Sequence, residues 1–486
     1  MHFWTINIWK TLNDWIPVIN LLFAAAIIFL ERRNVGVTWA WLMVLLLLPV
    51  VGFILYIFLG QNLARQKVYR NRPKLERRVR EEMKGQAQSL HNNTFPFHDP
   101  SVRDYQRLIY MNLISGYSPL TQNNEVTLFT VGVEKFEALL EEISRAERHI
   151  HLLYYKIGND ETGIRLIEAL ARKAEEGVKV RLLYDHIGSL GIKKKIFQRL
   201  IAAGGQALPF FPSKIPYLNF RLNYRNHRKI VVIDGRTGFI GGFNIGNEYL
   251  GMDRHIGYWR DTHLMLRGDA VHRLQVQFLL DWGVASNESS ISEPSFFPVM
   301  RDTAQTAVQI ITSGPSSETQ RIKNGFIKFI FEAQKRIYIQ TPYFIPDDSV
   351  LNALKIATLS GIDVRIMIPL KGDHRLVHLA SYAYLVELLR AGASCYLYDK
   401  GFLHAKTMVI DGQAASVGTA NMDRRSLELN FEINAFLFDP EVATRLEHIF
   451  EQDIRYCQLL TWENYNKRSL LTRAAESMAR LISPIL

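Results

Sequence analysis

The chain opens on two apolar stretches. Trp15 to Leu30 is uncharged and mostly apolar, bounded by Asp14 and by Glu31, Arg32 and Arg33, and Val35 to Gly60 is a longer uncharged run. A spanning helix needs roughly 20 apolar residues. The pattern predicts two transmembrane helices within residues 1–60, with one span as the fallback because the first run is short. Pro49 would kink the second helix, which membranes tolerate. A basic segment follows, with nine Lys/Arg against three Glu between Gln61 and Lys84. Such an excess marks a cytoplasmic flank, so both termini and everything after the spans are expected inside. Residues 61–110 are read as a juxtamembrane segment, its charges attracted to anionic lipid.

Beyond residue 110 the pattern changes to short β-rich runs alternating with amphipathic helices, and it occurs twice. RAERHIHLLYYKI from Arg145 and AQKRIYIQTPYF from Ala333 each read as a helix end and a strand. LARKAEEGVKVRLLYD and LKIATLSGIDVRIMIP repeat that unit, and RLIAAGGQALPFF and ELLRAGASCYLYD repeat it again. Alternating strands and helices mean an α/β class. The expected architecture is two pseudo-symmetric α/β sandwich modules, at 111–290 and 300–486, separated by the polar stretch Ser286–Pro298 and sharing one site. Near the C-terminus, Leu470, Leu471, Ala474, Met478, Leu481 and Ile482 fall at helical spacing. That helix suits either a membrane interface or a place on the core.

The chemistry lies in a pattern present once per module. His227, Lys229, Asp234, Gly241, Gly242 and Asn244 recur, at the same intervals, as His404, Lys406, Asp411, Gly418, Thr419 and Asn421. His and Lys two apart on a strand share a face. Asp234 and Asp411 fall at odd spacing and precede Gly, a hairpin-turn signal, which gives them a mainly structural reading. The small pairs let the returning strand approach closely, and Asn244 and Asn421 bring an amide back. Two imidazoles, two ammoniums and two amides suit a phosphodiester. Lys and Asn hold non-bridging oxygens, one neutral His attacks phosphorus, and the other, protonated, serves the leaving oxygen. An attacking His needs a partner to fix its tautomer. Glu432 and Asp261, on the next strand-like segment of each half, are the candidates for orienting His404 and His227 respectively.

The doubled His-x-Lys-x4-Asp pattern resembles the phospholipase D superfamily over nearly everything after residue 110. The fuller context, with two N-terminal hydrophobic runs, RNHRKIVVIDGRTGFIGGFNIGNEY, QTPYFIPDDSVLNAL, and LHAKTMVIDG followed by NMDRRSLELNFE, is similar to bacterial cardiolipin synthases. The resemblance implies a transferase that joins two phosphatidylglycerols into cardiolipin and glycerol through a covalent phosphatidyl-histidine. It counts His227, Lys229, Asp234, His404, Lys406 and Asp411 as the catalytic motif, leans to His227 as nucleophile, and implies no metal and no cofactor.

Composition narrows the partners. A formal net charge of +11 favours anionic ones, either an anionic membrane or nucleic acid. The charge excess beside the hydrophobic runs, and the absence of aromatic-basic interleaving, argue for phosphatidylglycerol and anionic lipid over nucleic acid. The two cysteines, Cys395 and Cys457, form no disulfide framework or metal motif. His374 and His378 lack a third ligand at fitting spacing, so a solvated or pocket-lining pair is expected. Tyr343 and Phe344 read as core or pocket wall, and His186 with Ser189 lacks a nucleophile elbow. The open alternatives are a hydrolase or transferase with another acceptor, a nuclease of the same superfamily, and a lipid-binding scaffold.

Overall fold

The computed structural model describes residues 72–212, 224–286, 288, 293–300, 304–317 and 319–483, together with 15, 18, 21, 22, 24, 25, 35–48, 51, 52 and 56. The chain divides into two units, residues 1–67 with 211–224, and residues 68–210 with 225–486.

In the first unit the helix Val35–Leu47 has 13 residues. Trp41 and Tyr56 meet edge to face at 5.3 Å. Among the described residues no helix is long and apolar enough to cross a membrane. The expected span Trp15 to Leu30 lies largely outside the described residues, and of Val35 to Gly60 residues 35–48, 51, 52 and 56 are described. The basic segment up to residue 71 lies outside them, after which the helix Arg72–His91 begins.

The second unit is α/β. Its described residues form a seven-stranded sheet in the order Asn124–Phe129, His263–Gly268, Thr237–Gly241, Ile230–Ile233, His149–Tyr154, Lys179–Asp185, Gln206–Phe210. A nine-stranded sheet repeats that order with Ala307–Ser313, Glu432–Phe438, Ala414–Gly418, Thr407–Ile410, Arg336–Gln340, Asp363–Pro369 and Ser394–Tyr398. It adds Leu120–Thr121 at one edge and Cys457–Leu460 at the other. The three strands at one end of each repeat are parallel, because helices cross between them, and the strands that follow pair antiparallel. The central strands carry unbroken apolar runs such as IVVI and TMVI because helices cover both faces.

The hairpin after each His-x-Lys strand is built as Asp-Gly demands. Asp234 and Gly235 have φ of 53° and 67°, and Asp411 and Gly412 have 54° and 63°. Paired left-handed residues match the right-handed strand twist. The amide of Arg236 closes the first turn onto the Ile233 carbonyl at 3.0 Å.

The two sheets meet where Thr237–Gly241 lies against Glu432–Phe438 and Ala414–Gly418. Two short parallel pairings cross this seam. Phe402 and Leu403 pair with Trp259 and Arg260, and Asn226 bridges to Phe431. Arg228 fastens it further: its guanidinium holds Asp281 at 2.8 Å and donates to the carbonyls of Ser313 and Glu432 in the other half. The C-terminal helix Leu470–Ile482 rests Ala479 beside Ala380 on the helix Arg375–Ala391, and leaves Leu470, Leu471, Met478 and Leu481 exposed.

Candidate active site

Each His sits just before its strand, in the segment that leaves its own sheet to cross the seam. The His227 amide donates to the Phe431 carbonyl at 3.0 Å, and the His404 amide donates to the Arg260 carbonyl at 2.7 Å. This crossing decides which carboxylate each imidazole meets. His227 Nδ1 lies 3.0 Å from both oxygens of Glu432, and His404 Nδ1 lies 2.6 Å from Asp261 Oδ2. The sequence expectation, Glu432 for His404 and Asp261 for His227, is therefore reversed. Neighbouring strands of one sheet suggested pairing within a half. The His segments instead leave their sheet before the strand begins, and each reaches the carboxylate of the other half.

Ionised carboxylates only accept, so each Nδ1 carries the proton and each Nε2 offers a lone pair. Both carboxylates are fully buried. Burial alone would raise them, but Lys406 and His404 hold Asp261 below the usual carboxylate range, and His227 and Lys229 do the same for Glu432. Thr419 also donates its hydroxyl to Glu432. Gly242 makes room for Asp261, since a Cβ there would lie 1.9 Å from Asp261 Oδ1.

The imidazoles are shifted the other way. Burial pushes His404 down to about 4, aided by Lys406 and opposed by Asp261. His227 is also lowered by burial, against the pull of Glu432. Burial takes Lys229 down to about 7 and Lys406 down to about 8. Each ammonium donates to the backbone carbonyl of its own His, at 2.8 Å for Lys229. Four potential cations share one buried site, and desolvation disfavours their charged forms.

His227, His404, Asn244 and Asn421 line one cavity of about 930 Å³. The Asn244 amide donates to the Tyr249 hydroxyl at 3.1 Å, and Asn421 Oδ1 is buried without a hydrogen-bond partner. Asp234 and Asp411 do not line this cavity. Asp234 accepts from the amides of Glu147, Arg148 and His149 at 2.8, 2.8 and 2.9 Å. Asp411 accepts from those of Gln334, Lys335 and Arg336 at 2.7, 2.8 and 2.8 Å. Each ties the far end of a His strand to the start of its neighbour, because the turn points its carboxylate back along the sheet.

Four residues of the site were not singled out by sequence. Tyr155 packs edge to face on His227 at 4.9 Å, Trp259 lies 5.0 Å from His404, and Arg225 and Arg425 line the cavity. Arg225 and Trp259 had a findable signal, each standing two residues before His227 or Asp261 in an extended segment. Tyr343 and His374 also line the cavity, whereas Phe344 is core. Ser189 donates its hydroxyl to the Tyr155 carbonyl at 3.1 Å. Among the described residues no group of three or more His, Cys, Asp or Glu could hold a metal ion.

Known proteins resemble this chain in sequence and in fold. A family model described as "Cardiolipin synthase, PLD-like domain" matches residues 139–282 and 326–454, and one described as "Phospholipase_D-nuclease N-terminal" matches residues 18–61. A cardiolipin synthase of Listeria monocytogenes serotype 4b is 50% identical over 470 residues, covering 96% of this chain and 98% of that protein. The major cardiolipin synthase of Bacillus subtilis is 49% identical over 470 residues, with the same coverage. In fold, a phosphatidylserine synthase of Haemophilus influenzae superposes with a TM-score of 0.58 at 15% identity, over 80% of this chain and all of that one.

Proposed function

Since the chain belongs to the cardiolipin synthase family, we propose that it transfers a phosphatidyl group from one phosphatidylglycerol to another, giving cardiolipin and glycerol, with His227 and His404 as the reacting pair. The observation that carries this reading is the crossed arrangement of two imidazoles. Each is held by a buried carboxylate of the other half, and both face one cavity.

The steps follow from the charges. A neutral imidazole attacks phosphorus through Nε2, forming the P–N bond as the P–O bond to glycerol breaks. The other imidazole, protonated, gives its proton to the departing oxygen. The acceptor's primary hydroxyl then loses its proton to that same imidazole, its oxygen bonds to phosphorus, and the P–N bond breaks. Entry of the anionic phosphodiester favours protonation among the neighbouring His and Lys, which supplies the acid form that burial disfavours. In this reading Lys229, Lys406, Asn244 and Asn421 bind the non-bridging oxygens, where charge builds up. Glu432 and Asp261 fix the tautomers. No cofactor is called for.

The N-terminal hydrophobic pattern and the match of residues 18–61 support a multi-pass place in the bacterial cell membrane, with the catalytic region on the cytoplasmic side. The test uses full-length protein in detergent micelles with phosphatidylglycerol as the only lipid. Cardiolipin with equimolar glycerol is expected. Phosphatidic acid as the sole product would replace the reading with a hydrolase.

A further inference from the structure

The two half-sites share their catalytic groups but not their walls. Two residues before His227 stands Arg225, and two residues before His404 stands Phe402. Four residues after Asn244 stands Glu248, and four residues after Asn421 stands Arg425. All four line the cavity. One wing therefore carries Phe402, close to Trp259 at 5.0 Å, and Glu248, ion-paired to Lys156 at 2.8 Å. The matching wing carries two guanidinium groups. Arg225 shares a face with His227 because side chains two apart on an extended segment point the same way. It hydrogen-bonds Tyr155, whose ring lies against His227. Arg425 stands on the short helix Arg424–Glu428. Asp185, whose charge acts on Arg225, is engaged by the amides of Ile187, Gly188 and Asn226, and Asp423, also in the cavity wall, accepts from the amide of Ser426.

Transfer between two phosphatidylglycerols brings two phosphates into one cavity. The donor's phosphorus must lie between the histidines. The acceptor's phosphate is three carbons from its attacking hydroxyl and needs its own counter-charge nearby. Building on the proposed reaction, we infer that Arg225 and Arg425 form a second anion site, which holds the phosphate of the acceptor phosphatidylglycerol while its hydroxyl reaches phosphorus. The planar guanidinium fork suits a phosphate, and two of them in one cavity wall give the acceptor a fixed end. Arg225 is shifted down by burial and then by Arg425, which a nearby anion would relieve. The site makes Arg225 and Arg425 specificity residues, selecting a phosphate-bearing alcohol over water or free glycerol.

The experiment compares two acceptors on one donor. Full-length wild type, Arg225→Gln, Arg425→Gln and Arg425→Lys are assayed in phosphatidylglycerol micelles. Cardiolipin synthesis is followed alongside exchange of labelled glycerol into phosphatidylglycerol, whose acceptor bears no phosphate. Each Gln variant is expected to lower the ratio of synthesis to exchange at least about tenfold, the loss of one charge-assisted hydrogen bond to phosphate. Arg425→Lys should recover part of it. A ratio that stays at the wild-type value, whether both activities fall together or neither falls, overturns the second anion site. Wild type that exchanges glycerol yet makes no cardiolipin would instead overturn the proposed reaction.

Discussion

Asp234→Ala should cost stability and not chemistry. Its carboxylate accepts three backbone amides, of Glu147, Arg148 and His149, at 2.8, 2.8 and 2.9 Å. Two of those bonds are exposed and one is half-buried. Water can therefore replace the first two in the variant. A hydrogen bond to a charged group is worth roughly 1.5–3 kcal/mol net when shielded. Discounting the exposed pair leaves about 3 kcal/mol in all, including the added strain of alanine at a φ of 53°. That is about a 100-fold loss in the folding equilibrium. The His227–Glu432 pair lies at the other end of the strand and should keep its geometry. Denaturant titration should show the lowered midpoint, and kcat for cardiolipin formation, measured below the unfolding transition, should stay within about threefold. An unchanged midpoint with kcat down by more than about 100-fold would refute the structural reading and return the carboxylate to the chemistry. Asp411→Ala should behave alike, since Asp411 holds Gln334, Lys335 and Arg336 in the same way.

Three further outcomes are expected. Glu432→Gln should lower the titration point of His227 further and leave that of His404 in place, because the removed charge is the one that raises His227; NMR of labelled imidazoles would show it, and a shift confined to His404 would contradict the crossed pairing. Gly242→Ala should cut kcat about 100-fold or more, as the new Cβ displaces Asp261 and with it His404; wild-type turnover would refute that. Stability should fall on acidification, since burial holds His151 and His263 well below the usual imidazole range. Below the unfolded value near ~6.5 the unfolded chain binds more protons, so each residue costs up to about 2 kcal/mol by pH 5; a denaturation midpoint unchanged from pH 7 to pH 5 would exclude this.

The repeated half-site pattern was legible because it is local. His, Lys, the Asp-Gly turn and Asn lie within one hairpin, and the duplication made the spacing visible. The α/β class followed from alternating strands and helices. The carboxylate pairing was not legible because it joins residues 205 and 143 positions apart. Strand alternation places residues within a sheet and says nothing about a segment that leaves it to cross a seam. Thr419 shows the same limit: its hydroxyl serves Glu432, a role hidden behind its reading as a small residue. Arg425 was visible as charge, yet only the fold sets it against Arg225 in the cavity.

The most direct test of the central claim is turnover of phosphatidylglycerol by full-length wild type, His227→Ala and His404→Ala, with circular dichroism to confirm the fold. The account predicts cardiolipin and glycerol from wild type and a loss of about 1000-fold or more in each variant, because each removes a nucleophile or an acid the other cannot replace. Near-wild-type turnover by either folded variant would contradict it.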